Sequence, residues 1–237
     1  MPLLVEAGYE AFGTTRSEAR ARELKAAGVR PVVVDVFDAA ALERALVRAK
    51  PQVVIHQLTD LPPGLDPKRM AAALPRNARL RIEGTRNLVN AALVAGVRRF
   101  IAQSIAWAYA PGDEPHVEAD PLEVGASGDR RITVDGVWEL ERLSLTSRPL
   151  EGIVLRYGQL YGPGTGRDKP EGSCPLHVDA AARAALLAIT KGKHGAYNIA
   201  EPNRYIATDK ARKELGWSAS PGARRSARAR RRGRSGA

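Results

Sequence analysis

The chain has 237 residues, 44% of them hydrophobic, enough for one substantial core with a smaller lobe; its single cysteine, Cys174, excludes an internal disulfide and a cysteine-cluster metal site. No apolar run reaches the roughly 18–20 residues of a membrane span, and residues 1–7 are too short and too poor in charge for a signal peptide, so a cytoplasmic location is expected. The net charge of +11 is concentrated at one end, because residues 221–237 carry seven arginines and no acid.

Residues 1–9 read as the back half of a helix, and no G-x-G-x-x-G or G-x-x-G-x-x-G spacing occurs ahead of Gly8. Residues 9–14 predict a short strand, and residues 17–27 a helix capped by Ser17. Residues 29–36 form an apolar, β-branched run of the kind buried on both faces of a parallel sheet. A helix over 39–49 and a strand over 52–57 follow. The next helical region, 70–95, must be interrupted or begun at Pro75. Gly96 ends it, and 98–104 form another strand. After a loop over 111–128 come a helix at 134–146, a strand at 152–157, a helix at 175–189, a strand at 196–199 and a small helix at 208–215.

This alternation predicts an α/β fold, a Rossmann-like doubly wound parallel sheet with right-handed crossovers. The sequence is read as lacking the first strand and glycine-rich turn of such a sheet, which leaves apolar faces and strand edges uncovered and lowers stability. Residues 1–150 form the incomplete nucleotide-binding part, 151–217 a small C-terminal substrate lobe, and 218–237 a disordered arginine-rich tail. Clustered arginines neutralise phosphates, but no aromatic residue interleaves with them to stack on bases, which weighs against nucleic acid.

Thr15 and Arg16 end the first predicted strand, where a dinucleotide-binding unit recognises the adenosine ribose. An acid there bonds the 2′-hydroxyl, whereas arginine accommodates a 2′-phosphate, so NADP is favoured, with NAD as the alternative. The plain reading is a solvated arginine beside a helix cap. Asp35 and Val36 are placed to reach an adenine edge, and Asp35 reads equally well as a cap or turn residue. Gln57, Leu58 and Thr59 follow a strand at the point where backbone lines a cofactor cleft. His56 reads as a packed core histidine.

The string Arg81-Ile-Glu-Gly-Thr-Arg-Asn-Leu-Val-Asn-Ala-Ala92 with Gly96-Val-Arg-Arg-Phe-Ile101 resembles the extended short-chain dehydrogenase/reductases, the NAD(P)-dependent epimerase/dehydratase group. The likeness continues in Leu155-Arg-Tyr-Gly-Gln-Leu-Tyr-Gly-Pro-Gly164, in His177-Val-Asp-Ala-Ala-Ala-Arg-Ala184, in Tyr197-Asn-Ile199 and in Lys210-Ala-Arg-Lys-Glu-Leu-Gly-Trp217, in the family's order and with about its spacing. The resemblance implies that Ser104 bonds the reacting oxygen of a small-molecule substrate, with a strand-end hydroxyl as the plain alternative. It implies that Tyr157, Gly158 and Gln159 run beneath the nicotinamide into the substrate pocket, and that His177 and Asp179 start a lobe helix that helps shape that pocket, with Asp179 serving equally well the N-terminal dipole of that helix. No metal is implied, and homodimerisation through a helix pair is common in the group.

One departure matters for chemistry. The family carries Tyr-x-x-x-Lys on the helix after the long loop, one turn apart, so that lysine lowers the tyrosine pKa. Anchored on Glu141, those positions are Thr133 and Val137, and no Tyr-x-x-x-Lys occurs anywhere in the chain. Tyr109 reads as a loop aromatic and Trp138 as packing or pocket wall. In this respect the chain is similar to the atypical members of the group. Two readings follow: an NAD(P)-dependent oxidoreductase, impaired by these departures, acting on a hydroxyl or carbonyl compound such as a nucleotide sugar, or a non-catalytic nucleotide sensor or scaffold.

Overall fold

The computed structural model describes residues 1–220; residues 221–237, and with them the nucleic-acid assignment and all but the first three residues of the predicted tail, lie outside the described residues. Helix α1 (Pro2–Glu6) precedes β1 (Phe12–Thr15), α2 (Glu18–Ala26), β2 (Arg30–Val33), α3 (Ala39–Ala49) and β3 (Val53–His56). Then come α4 (Pro67–Arg79), α5 (Thr85–Val94), β4 (Arg99–Ile105), α6 (Gly128–Thr146) and β5 (Glu151–Tyr157). The chain ends with β6 (Gln159–Tyr161), β7 (Pro175–His177), α7 (Val178–Ala188) and β8 (Gly195–Ile199), followed by a π-helical turn at Ala211–Leu215. Every strand pair is parallel, in the orders β1-β2, β3-β4-β5-β8 and β6-β7. The predicted α/β architecture is thus the observed one.

Local chemistry explains the helix starts. The Ser17 hydroxyl accepts from the Arg20 amide and the Asp38 carboxylate from the Ala41 amide, each satisfying one orphan donor. In α3, Leu42 and Leu46 lie one turn apart and bury the same face. Pro75 does not break α4: it is exposed, as is Ala71, whose carbonyl loses the proline's missing donor and faces water instead. The irregularity falls later, as a π-helical turn at Leu80–Gly84 between α4 and α5.

The four-stranded sheet is covered on both faces. Along β5 the side chains alternate: Ile153, Leu155 and Tyr157 pack with Ala180, Ala184 and Ala188 of α7, while Val154 joins Leu42, Leu88 and Leu140 of α3, α5 and α6. Two predicted elements change. The run 29–36 yields only β2, which pairs with β1 alone and leaves Val33 48% exposed, so it is an edge rather than a strand buried on both faces. The predicted helix 175–189 opens instead with β7, because Pro175–His177 aligns with β6, a three-residue strand separated from β5 only by Gly158. Gly158 is obligatory there, since a Cβ would stand 2.0 Å from the Cys174 carbonyl oxygen.

The facing edges of β1 and β3 have no strand partner among the described residues. Between them lies a cavity of about 410 Å³, walled by Phe12 and Thr14 on one side and Val53–His56 on the other, with Leu42, Leu46, Leu80 and Leu88 below. Its upper rim is the C-terminal edge of the strands, the usual ligand side of an open parallel sheet.

Candidate nucleotide-binding and active site

Seven of the sequence-selected residues, Thr15, Arg16, Asp35, Val36, Gln57, Leu58 and Thr59, line this one cavity. Arg16 and Asp35 face each other across the rim at 3.9 Å, both well exposed, so the pair is screened and Arg16 is free to exchange partners. One Asp35 oxygen accepts from the Phe37 amide at 3.0 Å, so Asp35 is a turn residue as well as a rim residue. The Val36 carbonyl is held by the Asn87 amide group at 2.9 Å. On the opposite wall, Asn77 bonds both the Thr59 hydroxyl and the Asp60 amide, at 3.2 and 2.8 Å. Nothing in the sequence pointed to Asn77 or Asn87, because their partners lie 17 or more residues away.

His56 is a core residue. Its Nδ1 accepts from the Leu58 amide, which leaves Nε2–H to donate to the Thr85 hydroxyl at 2.9 Å. Burial, with the charge of Arg81 second, holds its pKa down to about 4, so it is neutral at physiological pH and shapes the Gln57–Thr59 wall without moving protons. Between pH 6.5 and 4 the unfolded chain binds a proton that the folded chain refuses, so stability is lost as pH falls through that window. We expect about 2 kcal/mol of loss by pH 5 from this group. Melting curves of the wild type and of His56→Gln between pH 7.5 and 5 should show a shallower decline in the variant.

Ser104 sits differently from its expected place. Period two along β4 turns it, with its register partner Arg156 on β5, toward α6, and the residue is fully buried. Its hydroxyl donates to Glu141 at 2.6 Å, while Arg156 grips the same carboxylate through Nε at 3.0 Å and Nη2 at 2.7 Å. Arg156 Nη1 also donates to the Tyr109 hydroxyl, which donates in turn to Asn198 Oδ1 at 2.7 Å. Burial would lower the Arg156 pKa, but the hydrogen bonds and charge of Glu141 outweigh it, so the cation is held firmly. Ser104 therefore braces sheet to helix, the strand-end role that the sequence left open beside substrate contact.

Tyr109 is buried and its phenol is pushed up to about 12 by burial, against the opposing charge of Arg156. Val137 is fully buried with Ile105 and Ala108, and Thr133 is half-buried one turn earlier on α6. Trp138 is exposed, its ring covered only by the Arg142 guanidinium at 5.9 Å. The end of β4 thus meets an apolar helix wall with no acid–base pair.

The remaining selected residues form a second group beside the cavity. Tyr157 is buried, donates to the Ala181 carbonyl at 3.1 Å and lies beside the Gln57 side chain, while Gly158 is buried under Cys174; neither lines the cavity. The Gln159 oxygen accepts from both the amide and the thiol of Cys174, at 3.0 and 3.1 Å, so Gln159 is spent on fixing that loop. Burial pushes the Cys174 thiol up to about 11 and leaves it inert. His177 caps α7, accepting from the Asp179 amide at 3.2 Å, and stands edge-on to Tyr161, whose hydroxyl bonds Glu201 at 2.7 Å. A Cβ on Gly166 would come within 2.6 Å of the Gly64 backbone, so the loop after β6 touches the loop after β3. Among the described residues no group of three or more His, Cys, Asp or Glu side chains could hold a metal ion. Nor is any helix among them long and apolar enough to cross a membrane.

Residues 1–128 match a family described as NAD(P)H-binding. The chain belongs to the NAD(P)H-binding family. A relative named 3-diazoavenalumate denitrifying reductase, from Streptomyces sp, is 42% identical over 215 residues, covering 82% of this chain and 68% of the relative. The fold of this NAD(P)H-binding chain is that of the epimerase/dehydratase group. A UDP-glucose 4-epimerase from Thermotoga maritima superimposes with a TM-score of 0.71 at 20% identity, over 92% of this chain and 88% of the epimerase. A dTDP-glucose 4,6-dehydratase from Streptomyces venezuelae, solved with NAD, gives 0.72 at 17% identity over 92% and 87%. The cavity sets a polar rim above apolar walls, and no glycine is among its lining residues.

Proposed function

We propose that this chain is an NADPH-dependent reductase that replaces a diazo group by hydrogen on a small organic acid. The observation that carries this reading is that Thr133 and the buried Val137 stand at the family's acid–base positions on α6, in a chain whose residues Thr15, Arg16, Asp35, Val36 and Gln57–Thr59 share one polar-rimmed cavity. Reducing a carbonyl requires a proton for the oxygen as well as a hydride. Reducing a diazonium carbon does not: hydride adds, the C–N bond breaks with its electrons leaving on nitrogen, and C–H and N₂ balance the atoms and charge. The name of the 42% identical relative, a denitrifying reductase of a diazo compound, supports this substrate class.

The cofactor supplies the hydride when bound. In this reading Arg16 leaves Asp35 to hold a ribose 2′-phosphate, Asp35 and Val36 contact the adenine, and the Gln57–Thr59 segment lines the cleft. Tyr157 and Gly158 support the floor from below, whereas Gln159 and His177 set the loops that border the substrate.

Titration with NADPH and NADH, followed by tryptophan fluorescence, tests the cofactor half. Losing charge-assisted contacts in Arg16→Ala should weaken NADPH about 10- to 100-fold and leave NADH unchanged. If neither nucleotide binds the wild type at millimolar concentration, the scaffold reading replaces this one.

A further inference from the structure

Arg81 is a partly buried arginine whose charge no carboxylate answers among the described residues. Arg99, Arg130 and Arg156 each hold a carboxylate, Glu151, Glu123 and Glu141, at 2.7 to 2.8 Å. Arg81 has no hydrogen bond or ion pair among the described residues, although it is only partly exposed and burial lowers its pKa to about 10. Placing a charge in such surroundings without a partner is costly. Every sealed side-chain nitrogen and oxygen among the described residues has a hydrogen-bond partner, so the unpartnered guanidinium must open onto accessible space.

Its location follows from its neighbours. Arg81 lies on the π-helical turn Leu80–Gly84, a distortion found often at functional sites. Its stem passes Gly136 of α6, where an added Cβ would stand 3.5 Å from Arg81 Cδ and 3.1 Å from the Ala78 Cα. Its charge is felt at His56, at the C-terminal end of β3. The side chain therefore runs along α6 at Gly136, one residue before Val137 in the sequence, on the side of the molecule that carries His56.

We propose that Arg81 is the recognition residue for the carboxylate of the substrate, an inference that rests on the reductase reading and specifies its ligand. The planar guanidinium fork matches a carboxylate bidentately, and a carboxylate supplies the counter-charge that the fold withholds. Bound this way, the acid is anchored at one end by its charge.

Benzoate and its uncharged counterpart benzamide serve as probes with the full chain, in the presence of NADPH, read by calorimetry and tryptophan fluorescence. Benzoate should bind the wild type and lose about 10- to 100-fold in Arg81→Met, with part of the affinity kept in Arg81→Lys. Benzamide should bind all three proteins equally, which also reports that the variants are folded. Inorganic phosphate should not compete with benzoate at the same concentration. Equal benzoate affinity in wild type and Arg81→Met would overturn the assignment, as would no saturable benzoate binding to the wild type. So would loss of NADPH affinity in Arg81→Met with benzoate unmoved, since the cation would then serve the cofactor's phosphates. NADPH affinity unaltered alongside any of the benzoate failures leaves the reductase reading standing, so the two fail separately.

Discussion

Glu141→Gln is expected to destabilise the protein by about 3–5 kcal/mol, because it leaves the Arg156 guanidinium buried without its counter-charge. For a chain of this size that is a fall in Tm of roughly 6–20 °C. The carboxylate is nearly sealed, with both partners of the pair at 6–7% side-chain exposure, and it accepts three hydrogen bonds from Ser104 and Arg156. A double variant, Glu141→Leu with Arg156→Met, should recover most of the loss, since apolar side chains of similar volume replace a buried pair without an orphaned charge. Ser104→Ala separates brace from catalyst. A lost buried hydrogen bond costs about 1–2 kcal/mol of stability and leaves kcat alone. A hydroxyl that bonded the reacting oxygen would cost about 10²-fold or more in kcat. Thermal melts and turnover measured on the same three variants check both statements.

The second large effect concerns substrate class. An enzyme without a placed proton donor forfeits about 10²–10⁴ in rate wherever the product needs a proton in the transition state. With NADPH saturating, a diazonium-bearing benzoic acid should therefore be reduced at least about 10²-fold faster than the matching benzaldehyde. Turnover of the diazonium compound should also be flat between pH 6 and 9. His56 titrates near 4, Tyr109 near 12 and Cys174 near 11, and burial holds Tyr157 above the ordinary tyrosine value, so none of these groups changes charge in that range. A bell-shaped profile or efficient aldehyde reduction would reveal an acid–base group elsewhere in the cleft.

The parts legible in the sequence were those governed by local pattern. Helix α3 ran from Ala39 to Ala49 as its leucine spacing and Asp38 cap required. Thr15 through Thr59 converged because parallel strands place their C-terminal ends on one edge, whatever their order. The failures share a cause in non-local geometry. Whether Ser104 faces the cleft or α6 depends on the parity of β4 in the sheet, and one residue of register reverses the answer. Residues 29–36 look buried by composition, yet burial depends on having a strand on either side, and β2 has only β1. Strands β6 and β7, three residues each, are too short for any alternation to be visible. Arg81 was passed over because an absent partner leaves no mark in a sequence.

Hydride from the nicotinamide, delivered without a protein proton donor, is the step on which the functional account stands. The most direct measurement is the mass of the product formed from a diazonium-bearing benzoic acid with C4-deuterated NADPH in ordinary water, and with ordinary NADPH in deuterium oxide. One deuterium at the carbon that lost nitrogen is expected in the first experiment and none in the second, with N₂ released in equal amount. Deuterium taken from the solvent instead, or no product while NADPH is bound, would contradict it.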